Sequence, residues 1–275
     1  MSSHPTSEGR RVTIHDLAAM RARGERIAML TAYDANAASI LDEHGIPVLL
    51  VGDSLGMVML GHPTTLPVTL EDMIHHASAV MRVRPRSLVV VDLPFGSFQQ
   101  GPDQALASAV RVVKESGADA VKLEGGARVV ESVRAIVTAG IPVMAHLGLT
   151  PQSVAQFGGF RVQGRDASSA DRIVEDAIAL GEAGAFATVL ECIPASLAAR
   201  VTEASPVPTI GIGAGGAVDG QVLVWHDLLG LGDGRSPRFV RAYADLRSMI
   251  GAAIDAFQDD VRSGAFPAAE ESYGD

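Results

Sequence analysis

Short apolar runs rich in β-branched residues alternate with helical patterns along almost the whole chain. The eight runs are RIAMLTA, PVLLVGD, SLVVVDL, DAVKLE, IPVMAHL, AFATVLE, PTIGIGA and QVLVWHD. Most are apolar at consecutive positions, as strands are when helices or core cover both faces. Strand-helix alternation at this spacing indicates right-handed βαβ units around a parallel sheet. Eight such units predict an α/β fold, a closed (β/α)8 TIM barrel.

The ends of the chain carry different patterns. Residues 1–11 are polar and predict a flexible N-terminal tail, after which Thr13 is a candidate N-cap of a lead-in helix that could close the barrel bottom. Residues 237–264 predict one or two long C-terminal helices, and residues 265–275 predict a frayed tail. We therefore expect a single barrel domain over residues 12–264.

Composition narrows the classes of partner. With 275 residues, of which 47% are hydrophobic, one barrel is a simpler interpretation than two small domains. The net charge of −10 argues against nucleic acids and acidic membranes, and favours small molecules as partners. The single Cys192 can form no internal disulfide, and the first residues lack the apolar core of a signal peptide, so we expect a cytoplasmic protein.

Four acidic residues follow the ends of apolar runs: Asp53, Asp92, Glu124 and Glu191. Active sites of parallel barrels collect at the strand C-termini, so the four carboxylates are expected to converge on one mouth. Because Mg²⁺ takes oxygen ligands and usually keeps water or substrate oxygens as well, Asp53 and Asp92 predict a divalent metal site. The alternative is that either aspartate only caps the turn or helix that follows it.

Two further side chains extend this group. Lys122 lies two residues before Glu124 on one strand, so both project to the same face and Lys122 could bind a carboxylate or an enolate oxygen. The alternative is an internal ion pair that only fills the core. Glu191 is a candidate general base, or else a rim acid paired with an arginine. His146 could donate to a substrate oxygen, although a single histidine after a strand is more often structural.

The remaining motifs have simpler interpretations. GIGAGG at residues 211–216 follows the seventh strand, where barrels often bind phosphate, but a tight glycine turn is the favoured interpretation because nothing nearby is basic. Cys192 is interpreted as an unreactive thiol. His75 and His76 lie on a predicted helix, where adjacent residues do not share a face, so they are expected at a surface or interface.

The motifs taken together resemble those of one enzyme family. MLTAYDA, VGDSLG, GHPTTLPVTLEDM, DLPFGSF, KLEGG, HLGLTPQS, GGFRVQG, ECIP, GIGAG and DGQVLVWHDLLGL resemble, in order and spacing, the ketopantoate hydroxymethyltransferase (3-methyl-2-oxobutanoate hydroxymethyltransferase) family. The resemblance implies a barrel of the phosphoenolpyruvate/pyruvate type. It also implies transfer of a one-carbon unit from 5,10-methylenetetrahydrofolate to 3-methyl-2-oxobutanoate, giving 2-dehydropantoate in the first committed step of pantothenate biosynthesis.

The resemblance also implies roles for individual residues. Asp53 and Asp92 would bind Mg²⁺, with Glu124 in or just behind the coordination shell, and Glu191 would accept a proton. The residues implied to bind the oxo-acid are Asp53, Ser54, Asp92, Lys122 and His146. The family resemblance further implies a homo-oligomer, often a decamer.

These roles imply one mechanism and leave two alternatives. Mg²⁺ would polarise the oxo-acid carbonyl and stabilise the enolate that forms when Glu191 takes the C3 proton. The first alternative is a Mg²⁺-dependent 2-oxo-acid lyase or mutase on the same barrel, which would need no folate. The second is a non-catalytic binding scaffold, which absence of Mg²⁺ binding would support.

Overall fold

The computed structural model describes residues 9–232, 234 and 237–274, so positions 1–8 of the predicted N-terminal tail lie outside the described residues. The chain divides into two compact units, Met1–Val224 and Trp225–Asp275. The predicted single domain over residues 12–264 spans parts of both units and stays a prediction.

Eight parallel strands form a closed barrel in the first unit, and they are neighbours in sequence order. They are β1 Ile27–Thr31, β2 Val48–Val51, β3 Leu88–Asp92, β4 Ala120–Glu124, β5 Val143–Gly148, β6 Ala187–Glu191, β7 Thr209–Ile212 and β8 Gly220–Leu223. The barrel closes where Ile27 pairs with Gly220. A Cβ at Gly220 would collide with the carbonyl oxygen of Ile27, so glycine is needed for this pairing. The predicted (β/α)8 fold is confirmed.

Helices precede the barrel and connect most of its strands. They are α1 Ile14–Ala22, α2 Ala35–Glu43, α3 Leu55–Val58, α4 Leu70–Met81, α5 Pro102–Ser116, α6 Val130–Thr138, α7 Val154–Phe157, α8 Ala167–Glu182 and α9 Ala195–Ala204. Two 3₁₀ turns, Ala127–Val129 and Pro151–Ser153, precede α6 and α7. No helix is present between β7 and β8 in this fully described part of the chain.

The lead-in helix α1 packs on the same core as the strands. Its predicted cap is present, since the backbone N–H and the hydroxyl of Thr13 donate to Asp16 Oδ2 at 2.8 and 2.7 Å. Leu17 is fully buried and belongs to the core cluster that includes Ile27 and Met29 near the start of β1. Burial of one such side chain contributes roughly 2 kcal/mol to stability.

The barrel interior changes from apolar to charged along the strands. In β3, Leu88 and Val90 belong to the apolar core cluster, and Asp92 follows at the next position of the same parity. In β4, Ala120 belongs to that cluster, and Lys122 follows in the same way. Because alternate residues of a strand face the same side, the polar ends of these strands lie above an apolar floor.

The second unit contains α10 Trp225–Leu228 and α11 Leu246–Ser263. The predicted long helical region at residues 237–264 is therefore one helix that begins late, because Asp245 caps it by accepting a hydrogen bond from Ser248 N at 3.2 Å. Within the predicted frayed tail, Ala269–Glu271 form a 3₁₀ turn. Throughout the described chain, no helix combines the length and hydrophobicity needed to span a membrane.

Candidate active site

Lys122 lies in a buried charged cluster at the C-terminal ends of β3, β4 and β5. Its Nζ is 2.7 Å from Asp92 Oδ1 and 3.3 Å from His146 Nδ1. The register explains this arrangement, because Asp92 pairs with Lys122 and Glu124 pairs with His146 on neighbouring strands. All four residues are at most 4% exposed. Burial alone would lower the pKa of Lys122, but the surrounding carboxylates, Asp92 first, raise it, so the amine stays protonated.

Asp53 joins this cluster from the turn after β2. Its backbone N–H donates to Asp92 Oδ2 at 3.1 Å, and the residue is 4% exposed. The neighbouring Gly52 permits the approach, since a Cβ there would lie 2.8 Å from Ser54 Oγ and 3.4 Å from Asp92 Oδ2. Burial raises the pKa of Asp53 well above its usual range, and the charges of Asp92 and Glu124 raise it further. Burial also raises the pKa of Asp92, against the opposing effect of Lys122.

Gln152 connects the acids, and it was not among the residues predicted from the sequence. Its side-chain Nε2 donates to Asp53 Oδ2 and to the carbonyl oxygen of Leu93, both at 2.9 Å. Its backbone N–H donates to Glu124 Oε2 at 3.1 Å, and its Oε1 accepts a hydrogen bond from Gln99 at 3.1 Å. The amide orientation is thus fixed from both ends. A neutral glutamine carries no charge signal, and its place in the HLGLTPQS motif was the only available indication.

His146 links the cluster to Glu191. Its Nδ1 is 3.4 Å from Glu124 Oε1, and its Nε2 is 3.2 Å from Glu191 Oε2. Burial and the nearby Lys122 lower the pKa of His146, but contacts with the two glutamates outweigh them and raise it to about 9. The ring is therefore an imidazolium at neutral pH. The Glu191 side chain is 16% exposed, against 3% for Glu124, so it is the more accessible of the two.

Ser54 follows Asp53 and lies beside a buried tyrosine. Its Oγ is 2.8 Å from the hydroxyl of Tyr33, whose pKa is raised by burial. The ring of His76 contacts the carbonyl oxygen of Tyr33 through Nδ1 at 2.7 Å, an arrangement in which Nδ1–H donates. His75 is exposed. The structure thus brings Ser54 to the mouth next to Asp53, while the histidine pair occupies α4.

The acids fit a two-carboxylate metal site. Across the described residues, no group of three or more His, Cys, Asp or Glu side chains is arranged to hold a metal ion. Mg²⁺ needs fewer protein ligands, since one or two carboxylates commonly hold it together with waters and substrate oxygens. Burial and the like charges of Asp92 and Glu124 disfavour ionised Asp53, whereas Asp92 is already paired with Lys122. A cation bound at the two aspartates would relieve the cost at Asp53.

The glycine-rich segment after β7 forms a turn. Gly213 and Gly215 have φ values of +64° and +80°, which glycine adopts without strain. The carbonyl oxygen of Gly215 accepts a hydrogen bond from Gln221 at 2.8 Å. Burial, followed by the charge of Glu191, raises the pKa of the Cys192 thiol to about 12, which keeps it protonated and supports its interpretation as unreactive.

The sequence of the whole chain places it among known proteins. Residues 11–269 match the family model described as ketopantoate hydroxymethyltransferase. The chain belongs to this family. Two relatives named 3-methyl-2-oxobutanoate hydroxymethyltransferase illustrate the similarity. The one from Moorella thermoacetica is 59% identical, with 96% of this chain and 98% of the relative covered. The one from Parabacteroides distasonis is 54% identical, with 99% and 100% covered.

Solved structures share the fold of this ketopantoate hydroxymethyltransferase family member at low identity. A 2,3-dimethylmalate lyase, described as a PEP mutase/isocitrate lyase superfamily member, has a TM-score of 0.60 at 18% identity, with 95% of this chain and 92% of that chain covered. A phosphonopyruvate hydrolase in complex with oxalate and Mg²⁺ has a TM-score of 0.59 at 14% identity, with 94% and 92% covered. These likenesses agree with the (β/α)8 barrel and carry no further functional argument.

Family membership decides between the classes of protein considered above. The expectation of an enzyme, a hydroxymethyltransferase of the pantothenate pathway, is confirmed, and the alternative of a non-catalytic scaffold is wrong. Family membership also favours a transferase over a lyase or mutase, because the relatives at 59% and 54% identity are named hydroxymethyltransferases.

Proposed function

We propose that the protein transfers a hydroxymethyl group from 5,10-methylenetetrahydrofolate to 3-methyl-2-oxobutanoate, giving 2-dehydropantoate. The observation that carries this proposal is the buried cluster in which Asp53, Asp92 and Lys122 lie together and His146 connects them to Glu191. A doubly charged oxo-acid enolate needs fixed positive charge and an accessible base. The cluster offers both in a water-poor interior, where electrostatic interactions are strongest.

Asp53 and Asp92 are the residues that would hold Mg²⁺, with Glu124 in or just behind the coordination shell. Bound there, Mg²⁺ supplies a Lewis acid that polarises the keto group and stabilises negative charge on its oxygen. The protein's own contribution is the fixed geometry of the two aspartates, since Gln152 orients the Asp53 carboxylate and Lys122 pairs with Asp92. Loss of such a supporting contact typically costs about tenfold to a hundredfold in metal affinity.

Lys122 and Ser54 are the groups we assign to binding of the oxo-acid, together with Asp53, Asp92 and His146. The Lys122 ammonium group is protonated, buried and 2.7 Å from Asp92, so it can stabilise negative charge on a neighbouring substrate oxygen. His146 is an imidazolium at neutral pH whose two N–H groups lie against Glu124 and Glu191, so it contributes a fixed positive charge beside the oxo-acid.

Glu191 is the proposed base that removes the C3 proton. Its Oε2 lies 3.2 Å from His146 Nε2, and its Oε1 has no hydrogen-bond partner among the described residues. One oxygen is thus oriented while the other is available for the proton. The C3 carbanion then forms a C–C bond to the one-carbon unit. Both C–N bonds from that carbon to the folate break, and one water supplies the hydroxyl oxygen of the product. The two protons of this water and the proton held by Glu191 end on the product hydroxyl and on the two nitrogens of the departing tetrahydrofolate.

Proton exchange tests this proposal without the second substrate. The protein is incubated with 3-methyl-2-oxobutanoate in D₂O, with and without Mg²⁺ and without folate, and the C3 proton is followed by NMR. We expect Mg²⁺-dependent exchange, and net product only after 5,10-methylenetetrahydrofolate is added. Cleavage of a C–C bond of the oxo-acid without folate would refute the transferase proposal.

Two broader expectations accompany the proposed reaction. We infer from family membership that the protein is a homo-oligomer. Light scattering after size-exclusion chromatography tests whether its mass is that of a decamer. A monomeric mass would contradict this inference. The protein is further proposed to work in the cytoplasm on small molecules, in keeping with its net charge of −10 and its single cysteine.

A further inference from the structure

A cavity of about 480 Å³ opens beside the charged cluster. Glu124 and Gln152 line it, and both also belong to the contacts that hold Asp53 and His146. A ligand in this cavity would therefore lie against the wall of the site already described. The volume falls within the range of roughly 300 to 1,000 Å³ that is typical of small-molecule sites.

The walls of the cavity are suited to an aromatic ligand. Phe95, Phe98 and Val129 contribute apolar surface, and the side chain of Phe95 is 48% exposed although it is a large phenyl group. Because Phe95 lines the same cavity as Phe98 and Val129, a ligand bound there removes part of its exposed ring from water. A flat aromatic ligand can cover such a ring by stacking.

The cavity also contains one cation that is available to a ligand. Arg128 lines it and donates from Nη2 to Ser153 Oγ at 3.0 Å, which orients the guanidinium group. Within the described residues, Arg128 forms no ion pair at salt-bridge distance, whereas the nearby Glu131 contacts Arg134 at 3.6 Å. In a chain with a net charge of −10, an oriented arginine in a cavity favours a carboxylate ligand.

We propose that this cavity binds the one-carbon donor, with its aromatic part against Phe95 and an acidic group at Arg128. The inference rests on the proposed function, because a folate carries aromatic rings and a glutamate tail while the oxo-acid carries no ring. The cavity and the charged cluster share Glu124 and Gln152, so a donor bound there lies next to the oxo-acid site.

Steady-state kinetics of the full-length protein with Mg²⁺ test the assignment. Phe95→Ala is expected to raise the KM for 5,10-methylenetetrahydrofolate about tenfold, because one stacking contact is lost. Phe95→Tyr keeps an aromatic ring and is expected to keep the KM of the parent. Arg128→Ala is expected to raise this KM about threefold to fivefold, as for one exposed ion pair, and Arg128→Lys less. Arg200 is an exposed arginine paired with Asp171 at 2.7 Å. Arg200→Ala is the matched control and is expected to leave the KM for 5,10-methylenetetrahydrofolate unchanged.

A truncated donor isolates the role of Arg128. With 5,10-methylenetetrahydropteroate, which lacks the glutamate, Arg128→Ala is expected to leave KM within about twofold of the parent, because no carboxylate remains to pair. An equal rise with both donors would overturn the assignment of Arg128. Unchanged donor KM values in Phe95→Ala and Arg128→Ala would overturn the cavity assignment as a whole.

Donor-free proton exchange separates this inference from the proposed function. If Phe95→Ala and Arg128→Ala lose exchange with 3-methyl-2-oxobutanoate as strongly as they lose turnover, these residues serve the oxo-acid and the cavity assignment is wrong. If the parent protein shows neither exchange nor turnover, the proposed function itself fails. If the parent protein turns over and the variants keep its donor KM, only the cavity assignment is contradicted.

Discussion

Gln152 offers the sharpest test of how the carboxylates are held. Gln152→Ala removes the two hydrogen bonds that its amide donates to Asp53 and to the Leu93 carbonyl oxygen, each 2.9 Å long. It leaves a buried carboxylate oxygen without a donor, which costs about 1.5 to 3 kcal/mol. Because Asp53 is then free to turn away from Asp92, Mg²⁺ affinity should fall about tenfold to a hundredfold.

Two measurements check this expectation. Isothermal titration of the protein with MgCl₂ gives the change in affinity directly, without any substrate. Thermal unfolding gives the change in stability: for 275 residues the unfolding entropy is roughly 0.6 kcal/mol per kelvin, so the variant should melt about 3 to 5 °C lower.

Gln104→Ala is the matched control. Gln104 also makes two hydrogen bonds, donating to Gly96 O at 2.7 Å and accepting from Gln100 N at 2.9 Å, but it lies at the start of α5 and contacts none of the carboxylates. It should lower the melting temperature slightly and leave Mg²⁺ affinity unchanged. If Gln152→Ala binds Mg²⁺ as tightly as the parent, the proposed role of the amide is refuted.

Four further expectations follow from the same structure. Mg²⁺ at a hundred times its Kd should stabilise the parent by about 2.7 kcal/mol, a rise of about 5 °C, and an equal rise in Asp53→Asn would contradict the assigned ligand. Glu191→Gln should slow C3 proton exchange by roughly 10² to 10⁴ while retaining oxo-acid binding by calorimetry; normal exchange would eliminate Glu191 as the base. Leu17→Ala should lower the free energy of unfolding in urea by about 3 kcal/mol, and a loss below about 1 kcal/mol would place α1 outside the core. Because the pKa of Cys192 is raised to about 12, its alkylation rate should rise about tenfold per pH unit from pH 8 to 11; a plateau near pH 9 would show an ordinary thiol.

The fold and the position of the acids were accessible from local patterns. Eight apolar runs specified eight strands, and the rule that barrel sites lie at strand C-termini brought Asp92, Lys122, Glu124 and His146 to one end. These inferences need only strand parity and direction, which sequence spacing encodes.

Other features depend on distances that spacing does not encode. The charge of His146 is set by two glutamates from different strands, and the role of Gln152 is set by a loop that reaches across to Asp53. The late start of α11 depends on the Asp245 side chain, which accepts a hydrogen bond from Ser248 N at the first turn. Each of these is a consequence of tertiary or non-periodic structure rather than of a repeating pattern.

Strand register in β4 has a consequence for how mutations act on this protein. Asp92 pairs with Lys122 and Glu124 pairs with His146, so a one-residue deletion in β4 would reverse the direction of every side chain beyond it. Val121 and Leu123 would then enter the mouth, and the lysine and glutamate would point at the surrounding helices. A change of one residue in the length of this strand would therefore abolish the chemistry even where the barrel still closes.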